Sequence, residues 1–110
     1  MGKDLDHIHH VAIPVEDVAT AVNYYTERFR VAVEYQDGTW ALLGFANTKL
    51  ALVTVGHHPA HFAVECNNLQ DRASGRPIAD HRDGSRSLYI HDPWHNVIEL
   101  LETERMAGPR

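Results

Sequence analysis

One cysteine, Cys66, in 110 residues excludes an internal disulfide and any cysteine-rich zinc knuckle, so a bound metal would have to be held by nitrogen and oxygen. Basic charge is also scarce. Ten Lys and Arg against fifteen Asp and Glu leave a net charge of -5, and no basic stretch is present to neutralise consecutive phosphates, so nucleic acid is not an expected partner. Long apolar runs are missing: none approaches the roughly 18 residues that span a bilayer, and Met1-Gly2-Lys3-Asp4-Leu5-Asp6 has no apolar core of a secretion signal. A membrane partner is therefore not expected, and the cytoplasm is the expected compartment. What is present is the balance of a folded chain, 44% hydrophobic and 23% charged. Its length suits one domain, residues 1–110, burying about two-thirds of the surface that the unfolded chain exposes. Histidine is abundant, with nine residues; His7, His9 and His10 run directly into a strand-like segment and read as native.

The chain resembles itself. His10-Val11-Ala12-Ile13-Pro14-Val15-Glu16-Asp17-Val18 aligns without gaps on His61-Phe62-Ala63-Val64-Glu65-Cys66-Asn67-Asn68-Leu69 at an offset of 51, and Leu50-Ala51-Leu52-Val53-Thr54 aligns on Ile98-Glu99-Leu100-Leu101-Glu102 at an offset of 48. Two modules follow, one over about residues 7–56 and one over about 57–104. Each reads as strand, helix and three strands. In the first, His10 to Val15 alternates as a strand, and Asp17 stands at a helix N-cap before Val18, Val22, Tyr25 and Phe29, with the helix ending near Arg30. Val31 to Tyr35, Thr39 to Phe45 and Lys49 to Val55 read as strands, the first two joined by the hairpin signal Gln36-Asp37-Gly38. After the linker Gly56-His57-His58-Pro59, the second copy reads as a strand from His61 to Cys66 and a short helix from Leu69 to Ser74 closed by Gly75. Strands at Ile78 to His81, Ser87 to His91 and Val97 to Glu102 complete it.

Strand residues alternate between faces. His10 and Ala12 therefore lie opposite Val11, Ile13 and Val15, His61 and Ala63 lie opposite Phe62 and Val64, and Glu99 lies opposite Ile98 and Leu100. The apolar side must pack on the helix, which leaves the polar residues on the other face. Packing of the modules about a pseudo-two-fold axis would then bring two imidazoles and one carboxylate together. The repeat counterpart of Glu99 is Ala51, so a fourth protein ligand is missing and positions stay open for water, substrate or dioxygen. A divalent metal held this way acts as a Lewis acid on two neighbouring substrate oxygens, or presents dioxygen to a chelated catechol. The alternative is a pair of hydrogen-bonded sheet histidines and a carboxylate without metal.

At His10-Val-Ala-Ile-Pro-Val-Glu-Asp with Tyr24-Tyr25 downstream, at His61-Phe-Ala-Val-Glu, and at His91-Asp-Pro-Trp-His-Asn-Val-Ile-Glu99-Leu-Leu-Glu, the sequence resembles the vicinal oxygen chelate superfamily, which includes glyoxalases, bleomycin-resistance proteins and extradiol dioxygenases. The resemblance runs through nearly the whole chain. It implies an α+β fold of two paired βαβββ modules in an eight-stranded, open barrel-like sheet, and a homodimer as the usual assembly. It places His10, His61 and Glu99 on the metal-ligand positions, for Zn, Mn, Ni or Fe(II), and a small molecule as substrate. Drug-sequestering relatives use the same cleft without chemistry.

Departures narrow the activity. Ala51 stands where glyoxalase I type enzymes carry a second carboxylate that is also their base, Ala12 stands where fosfomycin-modifying relatives carry Thr or Cys, and no glutamine lies on the Ala51 strand where methylmalonyl-CoA epimerases have one. Tyr89 falls at a substrate-contacting position of the family, and strand alternation sends it and His91 towards the cleft; filling of the sheet interior is the other reading of Tyr89. Glu65 shares the face of His61 and is either a general base or a solvated strand-end carboxylate. His95 replaces a glycine common in the family turn, with Asn96 able to take unusual backbone angles. Trp40 and Trp94 line a pocket or pack, and Arg82 and Arg86 attract an anionic substrate or serve solubility.

Overall fold

The computed structural model describes residues 5–81 and 84–103. Arg82 lies outside the described residues. Eight strands form one mixed sheet in the hydrogen-bonded order β2-β3-β4-β1-β5-β8-β7-β6, an α+β fold with two helices. The strands are β1 (His7–Val15), β2 (Ala32–Gln36), β3 (Trp40–Gly44), β4 (Lys49–Thr54), β5 (His61–Glu65), β6 (Ala79–Asp80), β7 (Arg86–His91) and β8 (Val97–Glu102); the helices are α1 (Val18–Arg28) and α2 (Leu69–Arg72). By contact density the chain divides into His10–His61 and a second unit that begins again at Phe62 and also takes in the residues before His10.

In the unit His10–His61, α1 starts where the sequence puts it. Asp17 stays extended and its carboxylate accepts from the Thr20 N–H at 2.9 Å and the Thr20 hydroxyl at 2.6 Å, satisfying a donor that the first turn leaves without a partner. The helix ends at Arg28, two residues before the expected end. Phe29 turns extended (φ -132°), its N–H still bonded to the Tyr25 carbonyl, and its ring stacks on Tyr25 and meets Phe45. The helix buries Val18 and Val22 on Ala41, Leu43 and Leu52, with Ile13 and Val15 of β1 at the margin. The opposite face of the same strands carries Ala12, Ala51 and Val53 under Trp40 and Leu42. β1 and β4 pair in parallel with Ala12 beside Ala51, and β3 runs antiparallel to both β2 and β4.

The β2–β3 hairpin falls at the expected place with a different mechanism. Gly38 does not take a positive φ. Instead one Asp37 carboxylate oxygen accepts from the N–H groups of Thr39 and Trp40, and the other accepts from the Tyr35 hydroxyl. The Tyr35 hydrogen bond, followed by those from the backbone, holds the Asp37 carboxyl down at about 2. A carboxyl with a folded pKa below its unfolded value of about 3.9 contributes stability that is present above about pH 4 and lost as pH falls towards 2. Asp17 and Asp92 are shifted in the same direction, by Thr20 and by the Asn96 side chain respectively. Urea midpoints are therefore expected to fall between about pH 4 and pH 2, and Asp37→Asn should flatten that slope; an unchanged slope would remove Asp37 from the account.

In the other unit, Cys66, Leu69, Ala73, Leu88 and Leu100 form the core, with Val64, Ile78, Ile90 and Ile98 against it. Burial pushes the Cys66 thiol up, which suits a packing role. α2 has a single turn: Asn68 makes no side-chain cap, and both Ser74 (φ 53°) and Gly75 (φ 81°) are left-handed, so the helix stops before the expected Ser74. Arg86 donates from Nε to Oε1 of Glu102 at 2.8 Å and from the guanidinium end at 2.5 Å. Glu102 is buried, so Arg86 is the counter-charge of an internal carboxylate and is not held out for an anionic substrate.

The β7–β8 turn corrects the sequence reading in one respect. Asp92 Oδ1 accepts from the N–H groups of Trp94 and Asn96, and Oδ2 from the Asn96 side chain. The left-handed residue is His95 (φ 72°), not Asn96. A non-glycine residue there costs roughly 1–2 kcal/mol, partly offset in the glycine variant by the greater entropy of an unfolded glycine. His95→Gly should therefore stabilise the chain by about 0.5–1 kcal/mol in urea unfolding, and a loss of stability would refute the strain argument.

Candidate metal centre

His10 lies on β1, on the face that carries Ala12 and away from α1, with Lys49 of β4 in register beside it. His61 opens β5. Their Nε2 atoms stand 3.4 Å apart, with the rings edge to face at 5.4 Å between centroids. His61 Nδ1 lies 2.9 Å from the carbonyl oxygen of Pro59. A carbonyl only accepts, so Nδ1 carries the proton and donates it, and the Nε2 of the neutral ring is left with its lone pair turned towards His10. This is the arrangement by which proteins fix a metal-binding tautomer. The linker that the sequence marked only as a connection thus supplies the orienting group. No side-chain pattern could have announced it, because the acceptor is main chain.

The spacing fits a shared cation. Two nitrogens at about 2.0–2.1 Å from one metal, separated by a tetrahedral angle, stand about 3.4 Å apart. The observed 3.4 Å is that separation. With nitrogen donors and no thiolate, the pair suits Zn, Mn, Ni or Fe(II) alike.

Glu99 occupies the middle of β8 and is 7% exposed. Tyr89 of β7 is its cross-strand partner, so their side chains share a face. Tyr89 is half-exposed, and desolvation first, then the negative charge of Glu99, pushes its phenol up to about 12. It is therefore a hydroxyl donor at neutral pH. The Cys66 N–H bonds to the Leu101 carbonyl at 2.8 Å. His61 precedes Ala63 by two residues on the same strand face.

The other candidates are distributed more widely. Glu65 lies four residues along β5 from His61, about 13 Å at the usual strand rise, and accepts a 3.4 Å bond from the Thr103 hydroxyl. His91 ends β7, exposed, beside Asp92. Trp40 packs over Ala12, Ala51 and Val53, whereas Trp94 projects from its turn, 77% exposed. His57 and His58 are exposed in the linker.

No family model matches the sequence, and no curated protein matches it. Solved structures do. A hypothetical protein from Bacillus halodurans C-125 superposes with a TM-score of 0.73 at 13% identity, over 89% of this chain and 94% of that one. A glyoxalase/bleomycin resistance protein/dioxygenase superfamily member from Vibrio splendidus 12B01 gives 0.68 at 9% identity, over 89% and 99%. Methylmalonyl-CoA epimerase from Mycobacterium tuberculosis gives 0.66 at 19%, over 94% and 89%. The chain has the vicinal oxygen chelate fold.

Proposed function

We propose that this chain is a metal-dependent enzyme of lyase, isomerase or dioxygenase type, acting on a small molecule with adjacent oxygens, and that His10, His61 and Glu99 together hold one divalent cation. The observation that carries the reading is the imidazole pair, with one tautomer fixed by Pro59 and a nitrogen separation suited to a single coordination shell. Two histidines and one carboxylate leave positions for substrate oxygens. The cation would supply Lewis acidity at those oxygens, stabilising negative charge that develops there.

The residues of the chain have separate tasks. Pro59 orients His61. Tyr89, beside Glu99 and protonated at neutral pH, donates a hydrogen bond to a substrate oxygen. His91, on the same strand face two residues on, is positioned to accept a proton. A homodimer is the assembly in which such a site would work. That one structural neighbour is an epimerase agrees with isomerase chemistry, although the glutamine expected of epimerases has no counterpart on β4, where Ala51 is buried beside Ala12. The same alanine favours a second reading, a non-catalytic binding protein of the bleomycin-resistance type, since neither a fourth ligand nor a base stands there.

Elemental analysis of untagged protein separates the two. The enzyme reading expects about one metal per chain after purification or after reconstitution with Zn, Mn, Ni or Fe(II), and its removal by chelator. Protein that remains metal-free under all four leaves only the binding reading.

A further inference from the structure

The unit beginning at Phe62 has an open pocket of about 530 Å³, within the range of small-molecule sites. Its walls include Arg76 and Ile78 from the segment before β6, Ala79 of β6, His81 after it, and Ser87 and Tyr89 of β7. Among the described residues no carboxylate lines it, in a chain whose net charge is -5. Arg76 makes one 3.3 Å side-chain bond to the Ala73 carbonyl, which uses one of five guanidinium donors. His81 Nε2 is held 2.8 Å from the hydroxyl of buried Ser87, so the polar part of the wall is preformed. Tyr89, which borders the pocket, is the cross-strand partner of Glu99.

We propose that this pocket takes the organic part of the substrate, an apolar group of about the size of an aromatic ring that ends in a carboxylate paired with Arg76. The proposal rests on the reading above for the position of the adjacent oxygens, which would lie beyond Tyr89 on the Glu99 side. The predicted substrate class is an aromatic or similarly apolar carboxylate carrying neighbouring oxygens at the end remote from its acid. A planar guanidinium matches a carboxylate in two parallel hydrogen bonds, and the apolar walls account for the rest of the molecule.

Three probes test this by calorimetric titration: cinnamate, its neutral analogue cinnamyl alcohol, and caffeate, which adds two adjacent oxygens to cinnamate. Cinnamate should bind one per chain, about tenfold more tightly than cinnamyl alcohol. Arg76→Gln should remove that preference while leaving the alcohol unchanged, and Ala79→Trp should abolish binding of both. Chelator-treated protein and His61→Ala should still bind cinnamate, whereas any advantage of caffeate over cinnamate should require the metal. Persistence of that advantage after chelation and in His61→Ala, or its absence from metal-loaded parent protein, with cinnamate binding intact, would overturn the metal reading alone. Failure of cinnamate to saturate, or equal affinities in Arg76→Gln and parent, would overturn the pocket assignment whatever the metal content.

Discussion

Replacing His61 by alanine is expected to lower affinity for a divalent cation by a hundredfold or more, and His10→Ala and Glu99→Ala should do the same, each leaving a fold that still unfolds cooperatively. The expectation for His61 is the most specific. Its Nδ1 is committed to the Pro59 carbonyl and its Nε2 faces His10 at 3.4 Å, so the ring is already oriented and no rearrangement has to precede binding. Glutamine at the same position keeps polarity and much of the volume but cannot reproduce the fixed imidazole, and should behave as alanine does. Competition against a metal-sensitive dye measures all four variants. Affinity within threefold of the parent in any of the three alanine variants would take that residue out of the ligand set.

Leu52→Ala should cost about 2–5 kcal/mol, a large part of the roughly 5–15 kcal/mol that stabilises an ordinary domain. Leu52 is completely buried among Val18, Val22, Ala41 and Leu43, where β4 meets the helix on one face and carries Ala51 on the other. Deleting its isobutyl group leaves a void bounded by backbone-anchored strand and helix residues that have little room to collapse. Trp94→Ala supplies the contrast, since Trp94 is 77% exposed and its loss should change stability by no more than about 0.5 kcal/mol. Urea unfolding of both variants decides the point. Similar costs at the two positions would mean that the helix-side packing does not carry the stability assigned to it.

The elements were legible in the sequence to the extent that local physics determines them. Asp17 stands before a 3.6-residue apolar rhythm, and a helix begins there. Val97 to Glu102 is a short apolar-rich run that follows turn residues, and β8 has those bounds. Element ends were less legible: α1 stops at Arg28 with Phe29 extended, and β6 shrinks to two residues while Ile78 joins the core and His81 turns to Ser87. Gln36-Asp37-Gly38 placed the β2–β3 hairpin correctly, although the Asp37 side chain rather than a left-handed glycine holds the turn. In the turn after β7 His95, not Asn96, takes the left-handed conformation.

By itself, the order of residues established a duplicated strand-helix-strand pattern, the alternation that puts His10 with Ala12 and His61 with Ala63, and a cysteine content of one, because alternation and composition are local and countable. Only the folded chain decided that two histidines 51 positions apart in sequence meet at hydrogen-bonding distance, that the Pro59 carbonyl sets which nitrogen of His61 is protonated, and that Arg86 is consumed by Glu102. Those outcomes depend on strand register and main-chain acceptors, which no side-chain pattern encodes.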